Sequence, residues 1–551
     1  MYVDSCTYSA NSKMYTRHLL RESYRQNGSV RHRTIANLSL CSKQEIQAIK
    51  LALKHKANLD RLGNIHQDII VQQGCSIGAV YTLWQVAQRI GLVKALGSSQ
   101  SAKQALWQIF ARVLEQGSRL SAVRLANAHA ACDVLGLEAF NEDDLYRNLD
   151  WLSQNQEQIE NRLFRLRYSQ SKPELYLYDV TSSYLEGVCN ALGAFGYNRD
   201  GKSRKHQIVY GLLCDAQGQP VSIEAFEGNW TDTKTFYSQI RKVVDRFGGK
   251  EVTLVGDRGM IKAPQIDQLR AESALGLHYI TAITKAQIES LLKKGLIQLT
   301  LFDETIAEVV DEKSDVRYIL RRNPQRAREI QRTRNSKWTA LEQMVDRQNA
   351  YLNEHRRADM KVACRKIRVR HKKLRLPGIE IKAKGRNITM SKKDEAWKES
   401  AKLDGCYCLK TDLCAKKASK EIVHDRYKDL SKVEWAFRTS KTTLLEARPI
   451  YVCLESRTRG HLLVVMLAYL VVQELARCWR DLDLTVEEGL DELKSLCTTQ
   501  VIVRGRSAIH NVPRPRPSVQ RLLDAAEVTL PKAIADSGVR VSTRKKLRRE
   551  R

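Results

Sequence analysis

The sequence predicts an α/β protein: a mixed sheet with helices packed on it and a long insertion within it, behind a helical region and a β-hairpin arm. Three observations predict it. Between residues 175 and 283, short apolar runs of strand character alternate with segments of helical period. Residues 41–165 carry helical periodicity almost throughout. A one-sided basic stretch then breaks the α/β texture, which resumes at Gly405.

Composition narrows the class. A chain of 551 residues corresponds to about three or four domains at roughly 150 residues each. A hydrophobic share of 43%, with only 28 Gly and 10 Pro, excludes a collagen, a low-complexity scaffold and a wholly disordered chain. The 92 Lys and Arg outnumber the 62 Asp and Glu, a formal charge of +30. That excess calls for a polyanionic partner, and nucleic acid comes first. The 13 Cys are odd in number and scattered, which suits a reducing cytoplasm and not a disulfide framework. Cys406, Cys408 and Cys414 form the tightest cluster, but C-x-C is poor zinc-finger spacing and the alternation around it reads as a strand. The first eleven residues are polar and lack an apolar signal core, which argues against secretion. The longest apolar stretch, 462–472, is too short to span a bilayer and reads as a buried helix. A cytoplasmic protein with no membrane partner is expected.

The arm comes first, at 1–40. Strands at 15–24 and 30–38 flank Asn27-Gly28, the strongest two-residue hairpin signal. Arg17, Arg21, Arg25, Arg31 and Arg33 make it either an ordinary solvated hairpin or an arm that grips a phosphate backbone. The helical region, 41–165, opens on the capping-box pattern Ser42-Lys-Gln-Glu45, with further helices at 80–96, 101–116, 118–133 and 142–164. From Pro173 the texture changes. Strands are expected at 175–184, 206–214, 220–227, 251–255 and 278–283, with helices at 231–247 and 261–272. Three meandering strands, then helix, strand, helix and strand, suit a ribonuclease-H-like core, first part 173–285.

An insertion is expected at 286–404. From Arg321 to Arg375 there are 18 Lys or Arg against 5 Asp or Glu, a bias better explained by a phosphate track than by a solvated face. A helix at 324–353 and strands within 380–390 are expected there. The second part of the core, 405–480, holds a strand at 405–411, a helix at 428–440, a strand at 450–454 and the apolar helix 456–477. The C-terminal region, 481–551, ends in the basic tail 544–551.

A basic protein that attacks a phosphodiester commonly uses carboxylates that hold two divalent ions, ~3.5–4 Å apart. Asp179 is the first candidate, since it shares a strand face with Leu175 and Leu177 and an acid there is costly unless paired or metal-bound. Asp257 is the second, ending a buried-strand signal between Gly256 and Gly259. Glu434 is the third, on a helix whose one face carries Tyr427, Leu430, Glu434, Phe437, Arg438 and Lys441. That mixture suits a helix that meets both core and phosphate. Glu224, Glu227 and Asp232 compete, and Glu227 ranks as the first substitute. His206 and His424 read as structural, as do Trp230 and Trp435, for which core packing outweighs a role as stacking platforms.

These motifs together resemble the DDE-class transposases of bacterial insertion sequences, in the group whose last catalytic helix carries a tyrosine, arginine, glutamate and lysine signature. That pattern is Y, two residues, R, three residues, E, six residues, K. Tyr427, Glu434 and Lys441 match it; Leu430 stands where the arginine belongs, leaving Arg426, Lys432 and Arg438 as candidates for its phosphate contact. The segments around Asp179, from Phe226 to Thr235 and at 256–259 resemble the same group, as does the arm followed by a short helical domain. The resemblance implies Asp179, Asp257 and Glu434 as catalytic ligands of two Mg²⁺ ions, for which Mn²⁺ can substitute. It implies Tyr427, Arg438 and Lys441 at DNA phosphates, and an insertion that helps hold the DNA end. The partners it implies are double-stranded DNA, as transposon inverted-repeat ends and target, and a second copy of the chain in a synaptic dimer. The activity it implies is cleavage followed by strand transfer. A nuclease without strand transfer and a non-catalytic DNA-binding protein that retains the core are the competing readings.

Overall fold

A computed structural model describes residues 1–10, 13–57, 69–202, 204–247, 251–258, 260–271, 276–442, 445–503 and 506–543. The expected basic tail at 544–551 lies outside the described residues. The chain divides into two compact units. One comprises Met1–Cys75, Cys497–Arg514 and Leu530–Asp536, and the other the remainder.

In the smaller unit the arm has three antiparallel strands, β1 (Tyr2–Ala10), β2 (Lys13–Gln26) and β3 (Ser29–Asn37). The β2–β3 turn is the expected Asn27-Gly28, with φ of 50° and 79°; positive φ at both positions matches the twist of the flanking strands. β1 was not expected. Its sequence is polar, and its strand state comes from pairing with β2 along its whole length. Helix Lys43–Lys54 begins at the capping box, Ser42 Oγ accepting from Glu45 N and Glu45 Oε2 from Ser42 N. The predicted helical run is then broken by β4 (Ile69–Ser76), which joins a second sheet of order β17-β16-β15-β4 with β15 (Cys497–Val503), β16 (Arg506–Asn511) and β17 (Ala533–Ile534). Its β-branched start favours a strand, but its partners lie more than 400 residues along the chain and leave no local trace.

The larger unit is built on an eight-stranded mixed sheet. β5 (Leu175–Tyr184), β6 (Gln207–Asp215) and β7 (Pro220–Glu227) form an antiparallel meander. β8 (Thr253–Gly256) and β9 (His278–Ala282) add in parallel beside β5. β14 (Cys406–Thr411), β11 (Val316–Arg322) and β10 (Ala307–Asp311) extend the other edge antiparallel, giving the order β10-β11-β14-β9-β8-β5-β6-β7. Alternate residues of β5 divide the two faces. Tyr176, Tyr178 and Val180 enter a core with Phe164, Phe236, Ile240, Phe247, Ile266 and Leu269, from helices Glu142–Arg167, Asp232–Arg241 and Ala263–Ala271 and their flanks. The other side of the sheet receives helices Leu430–Lys441 and Glu455–Cys478, which pack on β5 and β7. By length and composition Glu455–Cys478 could cross a membrane, but most of it is buried, against helices Glu142–Arg167 and Gln100–Leu114 among others. Cys406 and Cys408 lie on β14, as the strand reading had it.

The expected start of the insertion, 286, does not coincide with the sheet. Helix Lys285–Lys293 and strands β10 and β11 pack into the main layer, around Ile288, Phe302, Tyr318, Leu320 and Cys408. Only 324–401 leaves it. Helices Pro324–Glu354 and Met360–Leu374, the hairpin β12 (Ile379–Lys384) and β13 (Asn387–Lys392), and helix Asp394–Ala401 make up this excursion. The helices and hairpin enclose a separate core of Leu341, Val345, Leu352, Ile367, Leu376 and Ile388. The expected strand at 450–454 is reduced to one bridge, Ile450 with Leu185.

Candidate active site

Sheet register brings the two aspartates side by side. β5 and β8 run parallel, and their last pair is Tyr178 with Gly256, so Asp179 and Asp257 follow on adjacent strands. β8 ends there while β5 continues, paired with β6 through Leu212. Asp179 is partly buried and its Oδ1 accepts from Val180 N at 2.8 Å. Asp257 is exposed at the strand end, and its Oδ1 accepts from Arg258 N at 2.7 Å and from the Tyr427 hydroxyl at 3.1 Å.

Glu434 arrives from the helix that packs on β5. The predicted single helix is two: Lys420–Lys428 and Leu430–Lys441, separated at Asp429. Tyr427 therefore sits at the end of the first helix and is not on one continuous stripe with Glu434. Leu430, Val433, Ala436 and Phe437 are buried, with Phe437 edge-on to Tyr210 at 5.8 Å. Glu434 and Arg438 lie exposed at the border of this buried face.

The three acids feel one another. Burial pushes the Asp179 carboxyl up, the negative charges of Asp257 and Glu434 push it further, and the Val180 amide and Arg199 oppose them; the result is about 7. Burial and the Asp257 charge likewise raise the Tyr427 phenol. Yet among the described residues no three His, Cys, Asp or Glu side chains converge closely enough to hold one metal ion unaided. The three carboxylates share a neighbourhood without forming a closed cage.

The three cationic and phenolic candidates divide. Arg438 is exposed, with its guanidinium over the Trp435 ring at 5.5 Å. Tyr427 is engaged with Asp257. Lys441, expected at a phosphate, is engaged within the chain: its side chain is 9% exposed, donates to the Ser182 carbonyl, and pairs with Asp200 Oδ1 at 3.1 Å. Asp200 is 2% exposed, also pairs with Arg448 Nη1 at 2.8 Å, and accepts from Tyr184 N. Asp200, Arg448 and Arg199, which pairs with Asp232 at 2.5 Å and acts on Asp179, carry no signal in the sequence. All three sit in turns or loops whose partners are remote in sequence.

The other competitors fall away. Glu224 points to the opposite face and is engaged by Ser238, Gln239 and Lys242. Glu227 lies two strands over and four residues along from the Asp179 row, on the order of 15 Å away by strand spacing. His424 is held by Arg321, Tyr407 and Asp425, a structural role. Trp230 stacks on Phe226 but stays 37% exposed. Trp435, expected in the core, is 59% exposed, because the buried face of its helix falls on Val433, Ala436 and Phe437.

Residues 170–471 match the family model described as the transposase DDE domain. Residues 7–64 match that of the IS1634 family transposase, N-terminal domain. Among solved structures the chain is similar to a piggyBac transposase synaptic complex with hairpin DNA, at 8% identity and a TM-score of 0.35, over 81% of this chain and 75% of that one. No curated protein matches.

Proposed function

Because the chain belongs to the DDE transposase domain family, we propose that it cuts double-stranded DNA at the inverted-repeat ends of a bacterial insertion sequence and joins the freed ends to target DNA. What supports the reading is that Asp179 and Asp257 follow the last pair of two adjacent parallel strands, and that the charges of Asp257 and Glu434 both act on Asp179.

The donor set suits divalent metal. It is all hard oxygen, and the Asp257 and Glu434 charges add to the burial that lifts Asp179 to about 7. Mg²⁺ keeps several waters and takes one or two carboxylates together with substrate phosphate oxygens, so a closed three-ligand cage is not needed. Asp179, Asp257 and Glu434 would hold the ions. When bound, two such ions supply Lewis acidity at the phosphate and a water nucleophile near neutral pH.

The chain's own groups do the rest. Tyr427 holds the Asp257 carboxylate in place through its hydroxyl. Arg199 offsets part of the charge on Asp179 from outside the carboxylate set. Exposed Arg438 and Arg258 flank the acids and offer phosphate contacts that position DNA without reading sequence. The arm adds exposed Arg17, Arg25 and Arg31, while Arg21 and Arg33 are already paired with Asp4 and Glu22. Two copies would pair the two ends, in the bacterial cytoplasm at the nucleoid.

The test is end cleavage on a labelled duplex that carries the element's terminus, with Mg²⁺ or Mn²⁺. Asp179→Asn, Asp257→Asn and Glu434→Gln should each abolish nicking and leave end binding largely intact. Nicking by any of the three removes that residue from the site, and nicking without strand transfer in the parent chain favours the nuclease reading.

A further inference from the structure

Away from the acids, the larger unit contains a cavity of about 190 Å³ whose walls carry buried positive charge. Arg112 is 7% exposed, Arg119 6% and His461 5%. Guanidinium groups are almost never buried without a carboxylate, because removing an ion from water is costly unless it is paired. Here, among the described residues, neither arginine forms an ion pair. Arg119 Nη2 reaches His461 Nδ1 at 3.0 Å, and the enclosed Nε of Arg112 meets no hydrogen-bond partner. The one carboxylate in the lining, Glu446, is exposed and acts on Arg112 only through space. Burial lowers Arg112 to about 10. Burial and the neighbouring Arg112 charge lower Arg119 to about 9. Both values remain above neutrality, so both groups stay charged.

A second feature points the same way. Helix Arg119–Ala128 starts at the cavity wall, with Ser118 as its cap, and first-turn amides favour negative charge. Tyr146 adds a hydroxyl to the lining. His461 accepts from Arg119 at Nδ1, so its other ring nitrogen carries a proton to donate. The wall thus offers donors and buried positive charge that no carboxylate among the described residues pairs with.

We propose that this pocket binds a phosphate group, clamped by Arg112 and Arg119 against the start of helix Arg119–Ala128. Planar guanidinium forks match the tetrahedral oxyanion, whose charge offsets the burial of both cations. The ligand has two sources, free orthophosphate or a phosphodiester of bound nucleic acid. The pocket's chemistry is the same whether or not the chain moves DNA.

The full chain tests it. Thermal unfolding is followed in chloride buffer with and without low-millimolar orthophosphate, a concentration at which bulk salting-out adds little. The parent midpoint should rise by a few degrees, and amide exchange across residues 112–122 should slow. Arg119→Met, and independently Arg112→Met, should abolish the rise. The exchange measurement on the parent chain stands even if a variant fails to fold. A duplex oligonucleotide that slows the same amides by itself, in competition with orthophosphate, assigns the site to nucleic-acid phosphate; protection by orthophosphate alone assigns it to the free ion. Protection by neither, or an equal rise in the folded variants, overturns the proposal.

Discussion

The Tyr427 hydroxyl donates to Asp257 Oδ1 at 3.1 Å, a bond between residues 170 positions apart. It ties the end of helix Lys420–Lys428 to the end of β8 and fixes one of the three carboxylates. A hydrogen bond to a charged group contributes ~1.5–3 kcal/mol. Tyr427→Phe should therefore slow single-turnover end cleavage by roughly tenfold to a hundredfold, and cost no more folding stability than that one bond. An unchanged rate would show that Asp257 is oriented without the phenol.

Asp200 is the partner of two cations at once, and it is almost fully buried. Removing one member of such a buried group strands the other charge, at a cost of ~3–5 kcal/mol. Asp200→Ala should destabilise the chain by about that amount in chemical denaturation. Lys441→Met should cost less, because the exposed edge of Arg448 still serves Asp200. Equal losses in the two variants would mean that Lys441 carries the pairing alone.

The legible parts of the fold were those written locally. β5 to β9 each occupy a short apolar run bounded by turn residues, and Asn27-Gly28 dictates its own turn. β1 and β4 were hidden because their strand state depends on partners, β2 for one and β15 for the other, and not on their own patterns. Asp179 and Asp257 stand out in the sequence because an acid in an apolar strand, or beside a glycine at a strand end, is conspicuous, and Glu434 because its helix face mixes apolar and charged residues. The partner of Lys441 was hidden for the converse reason. The lysine's spacing from Glu434 suggested a phosphate contact, while the residue that claims it, Asp200, sits in a polar turn that looks like any other. Trp435 shows the same limit: only the packed helix reveals which side of residue 434 faces the sheet.

Helix Met360–Leu374 buries Ala363, Cys364 and Ile367 and turns Arg365, Arg368 and Lys372 outward. No ion pair joins these three cations to a carboxylate among the described residues. If they track a DNA backbone, removing each cation lowers the slope of log binding constant against log salt by ~0.9. The triple alanine variant should lower that slope by roughly 3, weaken binding at low salt, and leave the unfolding midpoint unchanged. An unaltered slope would place the phosphate track elsewhere.

The raised Asp179 carboxyl makes stability depend on pH in a definite direction. Burial, with Asp257 and Glu434 nearby, moves it from an ordinary 3.8 to about 7. Between those values the folded chain keeps a proton that the unfolded chain has lost, so this residue makes folding less favourable as pH rises through the interval. Asp179→Asn cannot titrate. In metal-free buffer the variant and the parent should unfold at similar temperatures near the lower bound, and the variant should be the more stable above the upper one. Divalent cation binds the ionised carboxylate, so added Mg²⁺ should recover stability in the parent above about pH 7 and do less for the variant. Thermal unfolding of both proteins across this range, with chelator and then with Mg²⁺, measures the two effects. A constant difference between parent and variant at every pH would mean that Asp179 ionises at an ordinary carboxylate value and is not crowded by the other two acids.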